Sequence, residues 1–236
     1  MEIMNDFKPP KKEYEKKDNF FLKTKTHRVL TWPARILAVL VLLGSAYVLI
    51  PVAKHIVVSY TVDIDEPRNT QHLVVENWNA DVDVFEQTAG MAKQLGNPEI
   101  WALVFERPYM RERTRKQALV NAWAAGLDTS RLKLLLVRAK EPKTYNNARA
   151  IVDTARKLGW NELTLATLVF HSARSKKALL HFTKDTGIQV YVLPYFEAGA
   201  TPQDWYETDT GQAEVLAEFV KRLFYDIYVF GFRSSR

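Results

Sequence analysis

Leu163-Thr164-Leu165-Ala166-Thr167-Leu168-Val169-Phe170 runs directly into His171-Ser172-Ala173-Arg174. A charge-free apolar run of this length suits a strand covered on both faces, and the helical pattern after it suits a crossover. The same alternation recurs on either side. Further strands are expected at Leu73 to Val75, Ile100 to Phe105, Leu132 to Val137 and Ile188 to Leu193. Helices are expected at Asp81 to Leu95, Glu112 to Ala125, Asn146 to Leu158, Ala173 to Lys184 and Gly211 to Phe230, with Gly126 and Gly159 where glycine commonly ends a helix. The pattern predicts a doubly wound, Rossmann-like α/β sandwich with about five parallel strands.

Polar clusters sit just beyond these strands: Glu76-Asn77-Trp78, Glu106-Arg107, Lys143-Thr144-Tyr145-Asn146-Asn147 and His171-Ser172-Ala173-Arg174. In an open parallel sheet they meet at the carboxyl edge, where ligands bind at the point of strand-order reversal. They are expected to converge into one electropositive hollow.

His171 and Arg174 lead the candidates, because they stand at the expected start of a helix. Exposed backbone N–H groups and the helix dipole favour an anion there, and an arginine fork adds bidentate pairing. Phosphate, sulfate or a sugar carboxylate fits that chemistry. The plainer alternative makes His171 a structural hydrogen bonder and Arg174 a solvated helix residue. Asn77, Thr144 and Asn147 complete the ligand-binding set, although Thr144 also reads as the N-cap of its helix. Glu76 is a candidate general base, with His171 the other catalytic candidate. A salt bridge from Glu76 to Arg107 or Arg174 is its structural alternative.

Composition removes several classes. With 236 residues and 47% hydrophobic content, the chain builds one ordinary domain plus an extra segment. It has no cysteine, which excludes disulfides, thiolate metal sites, a thiol nucleophile and an acyl-cysteine anchor. Asp81-Val82-Asp83 has the form of a metal-holding Asp-x-Asp, but capping and dipole compensation explain two acids at a helix start. His171 and His181 lack a third ligand at useful spacing, so no metal is expected. Ser172 lacks a glycine-flanked nucleophile elbow. Neither a Gly-rich phosphate loop nor a dinucleotide fingerprint follows the first strand, and the sequence leaves any cofactor unknown.

The net charge of +6 is unevenly spread, with nine basic and five acidic residues before residue 36. A basic excess in a polar tail, ahead of an apolar stretch, argues for membrane topology and against nucleic-acid binding. Residues 36–53 carry no charge and, as a helix, span about 27 Å, close to bilayer hydrocarbon thickness. Trp32 and Arg35 before it and Lys54, His55 and Tyr60 after it are interfacial anchors. Gly44-Ser45-Ala46 offers a signal-peptide cleavage point and a buried core helix is a further alternative, but the long leader and continuing apolar run favour an uncleaved signal anchor. The organisation read from this is a basic cytoplasmic tail (1–35), a transmembrane anchor (36–53), a linker (54–70) and an α/β domain (71–236). In a bacterium the span crosses the inner membrane and the domain faces the periplasm or exterior.

From Leu73 to Phe230 the chain resembles the SanA/ElyC/YdcF-like family of bacterial envelope domains. The resemblance rests on Val74-Val75-Glu76-Asn77-Trp78 with Asp81, on Thr144-Tyr145-Asn146-Asn147-Ala148, on Phe170-His171-Ser172-Ala173-Arg174, and on Trp205 followed by Gly211 and Glu218. It is nearest to the branch with a Val-Glu-Gly-Trp opening, whose members accompany exopolysaccharide and exosortase systems; Asn77 replaces that glycine. The loop Glu106-Arg107-Pro108-Tyr109 also departs from the small residues the family has there, and threatens to fill the cleft. The resemblance implies an envelope role and supplies no reaction. Two functions are therefore carried forward. One is a membrane-anchored domain that binds or processes an anionic sugar or phosphate-bearing envelope precursor. The other is a noncatalytic subunit of a membrane assembly.

Leu216, Phe219, Val220, Leu223 and Ile227 form a helical stripe, expected to pack on the sheet. Contact with the bilayer or a partner is expected only beyond Tyr228, through Val229 to Phe232 with Arg233 and Arg236.

Overall fold

The computed structural model of the protein describes residues 31–106, 109–197 and 200–232. The basic tail up to residue 30, Arg107 with Pro108, and Arg233 with Arg236 lie outside the described residues. Contacts divide the chain at Val48 and Leu49. The long helix α1 (Trp32–Thr61) crosses that division, and the α/β domain belongs to the part from Leu49 onward.

Five strands form the domain's sheet: β1 (His72–Glu76), β2 (Glu99–Glu106), β3 (Leu132–Arg138), β4 (Glu162–Leu168) and β5 (Gln189–Tyr195). All pairings are parallel and the spatial order is β3-β2-β1-β4-β5. The expected doubly wound fold is what forms, with its strand order reversing between β1 and β4.

Alternation along the strands explains the layers. Leu73 and Val75 of β1 face one side, with α2 (Val82–Gln94) and α3 (Arg111–Ala124), where Phe85 and Ala118 are fully buried. Val74 faces the other side, with α4 (Lys143–Lys157) and α5 (Ser172–Thr183). On α4 the buried residues Ala148, Ile151, Val152 and Ala155 recur at intervals of three and four, the stripe a helix needs to cover a sheet.

α1 is 30 residues long, and its most apolar 18-residue window is unburied; among the described residues it is the one helix long and apolar enough to cross a membrane. The helix does not stop at residue 53. It continues to Thr61, and Val57, Val58 and Val62 pack against Val169, Phe170, Trp205 and Val215. The stretch expected as a linker is thus pinned to the domain. Asp63 N–H donates to Ser172 Oγ at 3.0 Å, Asp65 exchanges hydrogen bonds with the Val192 backbone, and Lys176 Nζ reaches Asp63 at 2.7 Å and Asp65 at 3.0 Å.

The last helix, α6 (Asp209–Phe224), passes into a π-helical segment, Tyr225–Phe232, instead of running as one α-helix to Phe230. Its packing is the reverse of expectation for every member of the stripe but Phe219, which is half-buried. Gly211, Val215, Glu218, Tyr225 and Val229 are buried, whereas Leu216, Val220, Leu223 and Ile227 are 53, 63, 44 and 53% exposed. Helical spacing identifies a stripe without saying which side meets the core. Here the inward side is the one carrying the glycine that permits close approach: a Cβ on Gly211 would lie 2.4 Å from the Trp205 carbonyl oxygen.

Candidate functional site at the strand-order reversal

β1 and β4 deliver their carboxyl ends side by side at the reversal, so the residues just after them share one region. β4 ends at Leu168 and a single tight turn, Val169–His171, leads into α5. That turn places the imidazole of His171 and the guanidinium of Arg174, one helical turn further on, against the first turn of α4. Arg174 donates from one terminal nitrogen to Thr144 Oγ1, and from the other to Glu218 Oε2 at 2.7 Å and toward His171 Nδ1 at 2.6 Å. His171 Nε2 lies 3.5 Å from Thr144 Oγ1.

Thr144 is therefore not the cap of α4. The helix begins three residues earlier than expected, with Pro142 at the N-cap position, so Thr144 falls in the first turn and its hydroxyl serves Arg174.

Glu218, buried on the inner side of α6, is the carboxylate that completes the cluster. Its Oε2 accepts from Arg174 Nε and Nη2 and lies 3.2 Å from His171 Nδ1, while Oε1 accepts from Lys221 Nζ at 2.7 Å. Burial works against its charge, but hydrogen bonding from His171, the charges of His171 and Arg174, and Lys221 outweigh it and hold the carboxyl well below the usual range. His171 Nδ1 has one hydrogen-bonding role at a time. It accepts from Arg174 when the ring proton is on Nε2, or donates to Glu218 when Nδ1 is protonated.

Glu76 occupies a separate, adjoining pocket of hydroxyls. Its Oε2 accepts from Thr167 Oγ1 at 2.5 Å and Ser175 Oγ at 2.9 Å, and Tyr195 donates to the Glu76 carbonyl at 2.5 Å. Arg174 is committed to Glu218, so the alternative salt bridge of Glu76 to Arg174 is replaced by these hydroxyl contacts; Arg107 lies outside the described residues. Asn77 braces the turn after β1: Oδ1 accepts from Asp81 N–H at 2.8 Å and Nδ2 donates to the Asp81 carbonyl at 2.9 Å. Asp81 sits at the N-cap of α2 without a side-chain capping bond. Asn147 is buried, and its Nδ2 has no partner among the described residues.

A cleft of about 1400 Å³ opens over this region. Thr144, His171, Arg174 and Glu218 line it, with Trp78, Lys143, Leu168 and the side of α6 that carries Val220 and Phe224. Glu76, Asn77 and Asn147 do not line it. Neither do Glu106 and Tyr109, so the loop expected to fill the cleft does not do so with its described residues. The expectation of an electropositive hollow also needs correcting. Glu141, Glu197, Asp209, Glu214 and Glu218 outnumber Lys143, Arg174 and Lys221 in the lining. Of the three cations only Arg174 is buried, and it is paired with the buried Glu218, while the side chains of Lys143 and Lys221 are about half exposed. The Trp78 indole N–H is buried without a partner among the described residues, and its ring stands edge-on to His171 at 5.1 Å.

Sequence reasoning brought His171, Arg174 and Thr144 together and missed what connects them. Glu218 entered only as part of a family pattern. Its signal was available in the spacing of Gly211, Val215, Glu218 and Tyr225, a second helical stripe with one charged member. Among the described residues no group of His, Cys, Asp and Glu is arranged to hold a metal ion.

No family model matches the chain, and no curated protein matches it. Among solved structures it is similar to the U34-tRNA thiolase NcsA of Methanococcus maripaludis with its [4Fe-4S] cluster, at 10% identity and a TM-score of 0.33, over 76% of this chain and 74% of that one. A likeness at that level carries no argument about function.

Proposed function

We propose that this chain is a membrane-anchored envelope protein of the SanA/ElyC/YdcF-like kind, whose external α/β domain binds or processes an anionic cell-envelope or exopolysaccharide precursor. The observation that carries this reading is the cluster of Thr144, His171 and Arg174 at the strand-order reversal, lining a large cleft with Trp78, whose indole N–H has no partner among the described residues. One phosphate or carboxylate fits against the start of α4, with Lys143, Arg174 and Trp78 as donors. The acidic rim of Glu197, Asp209 and Glu214 accepts from sugar hydroxyls. His171 is the catalytic candidate that lines the cleft; Glu76 is enclosed by hydroxyls behind it. In this reading the amino terminus lies in the cytoplasm and the domain in the periplasm or outside, an orientation that the basic leader favours.

The experiment is an equilibrium titration of the full chain in detergent with a uridine-diphosphate sugar and with a polyprenyl-phosphate sugar. Saturable binding is expected for one of them, lost in the His171→Ala/Arg174→Ala double variant and weakened about tenfold by Trp78→Phe, which removes one buried donor and keeps the packing. Unchanged affinity in a folded double variant removes the proposal. Should that variant unfold, unchanged affinity in Trp78→Phe does the same.

A second reading, a noncatalytic subunit of an exopolysaccharide or protein-sorting membrane assembly, is favoured by one observation. Glu218 already neutralises Arg174 without any ligand, so the cluster is satisfied as a structural core. Copurification that survives cleft variants and fails when residues 36–53 are replaced by an unrelated span supports this reading over the first.

A further inference from the structure

The outward side of α6 and its π-helical extension contributes no hydrogen bond to the His171–Arg174–Glu218 cluster, and it is apolar where a domain surface is normally charged. From Leu216 to Gly231 the exposed side chains are Leu216, Ala217, Val220, Leu223, Phe224, Ile227 and Tyr228, with Lys221 the single exposed charge. Leu216, Val220, Leu223 and Phe224 fall within about 100° of helical arc, so they form one contiguous face. Contiguous exposed apolar patches on a soluble domain mark interaction sites.

The position of this face relative to α1 identifies what it meets. Tyr60 of α1 packs its ring 5.2 Å from Phe219 of α6, and its hydroxyl donates to Asp226 at 2.6 Å. Arg222 lies over the same tyrosine ring at 5.2 Å. Tyr60 is six residues beyond Lys54, the first charge after the apolar stretch. Six residues of helix rise about 9 Å, a distance comparable to the headgroup layer outside the hydrocarbon core. α6 is thus fastened to α1 six residues past the first charge that follows the apolar stretch. The charges nearby are internally paired, Lys221 with Glu218 and Arg222 with Asp226, so the attraction is apolar burial and does not depend on anionic lipid.

We infer that the Leu216–Tyr228 face of α6 and its extension lies on the surface of the bilayer that α1 crosses, its apolar side chains dipping among the headgroups. Val220, Phe224 and Tyr228 belong to both this face and the cleft lining, so the cleft mouth meets the lipid surface. The inference rests on residues 36–53 as a membrane span and is independent of what the cleft binds.

The absence of native cysteine makes the test direct. Single variants Leu216→Cys, Leu223→Cys, Leu158→Cys and Tyr47→Cys of the full chain are labelled with an environment-sensitive fluorophore and reconstituted, one copy per disc, in phosphatidylcholine nanodiscs with or without brominated acyl chains. Leu158 is 52% exposed beyond the end of α4 and serves as the domain control; Tyr47, 83% exposed, reports on the span. Quenching at 216 and 223 is expected to exceed that at 158 by about threefold, with or without added anionic lipid. Quenching at 216 and 223 no greater than at 158 overturns the inference. So does a signal that appears only with two copies per disc, which assigns the face to a second chain. The label at 47 separates the causes: quenched there but not at 216 and 223, the span stands and only this inference falls.

Discussion

Ser175 on α5 donates its hydroxyl to the carboxylate of Glu76 at the tip of β1 at 2.9 Å, tying together residues 99 apart in sequence at the point where the strand order reverses. Thr167 of β4 donates to the same oxygen, so one buried carboxylate holds β1, β4 and α5 in register. Glu76→Gln keeps an acceptor and is expected to cost about 1 kcal/mol, whereas Glu76→Ala strands two buried hydroxyls and leaves a void, costing about 2–4 kcal/mol. Urea unfolding of the two variants measures the difference; equal losses would contradict the role given to the carboxylate.

Arg174 and Glu218 form a buried ion pair at 2.7 Å. Removing one member leaves a charge in a poorly solvated site, so Arg174→Ala and Glu218→Ala are each expected to lose about 3–5 kcal/mol. Arg174→Met and Glu218→Leu are likewise expected to be costly one at a time, and the double variant Arg174→Met/Glu218→Leu to be more stable than either. A double-variant cycle on thermal unfolding checks the sign, and strict additivity would show that the two residues act independently.

Acid should unfold the domain partly through Glu218. Its folded-state carboxyl is held below the ordinary value of 4.5, so the stabilisation it provides is complete above that value and is lost as pH falls through and below it. The unfolding temperature of the wild type is expected to drop progressively below about pH 5, and the drop to be shallower in Glu218→Gln. Parallel pH profiles for the two proteins would place the acid sensitivity elsewhere.

Gly211 marks the closest approach of α6 to the preceding turn. An added methyl would meet the Trp205 carbonyl oxygen at 2.4 Å and Thr208 Oγ1 at 2.9 Å. Gly211→Ala is therefore expected to destabilise by about 1–3 kcal/mol despite the helix preference of alanine. A circular-dichroism melt suffices, and a stabilised variant would contradict the close packing.

The sheet was legible in the sequence because buried parallel strands leave runs that need no partner to be read: Leu163 to Phe170 is apolar whichever helix covers it. The convergence of His171, Arg174 and Thr144 followed from the same logic, since strand tips of one sheet share an edge. Their connections were not legible. Which hydroxyl or carboxylate Arg174 meets depends on packing angles that spacing does not encode, and so the cluster that reads as an anion fork is already paired with Glu218. Asn77 illustrates the same limit, its amide being spent on the Asp81 backbone. The stripe on α6 failed for a different reason. Apolar periodicity reports that a face avoids water, and both a protein core and a bilayer surface satisfy it.

The central claim is that ligand enters the cleft between the start of α4, the turn after β4 and α6. Hydrogen–deuterium exchange of the full chain, with and without whichever sugar phosphate shows saturable binding, tests it most directly. The account predicts protection in residues 141–147, 168–175 and 209–228. Protection confined to the opposite edge of the sheet, around His72, Trp160 and Gln189, where a second cavity of about 820 Å³ lies, would contradict it.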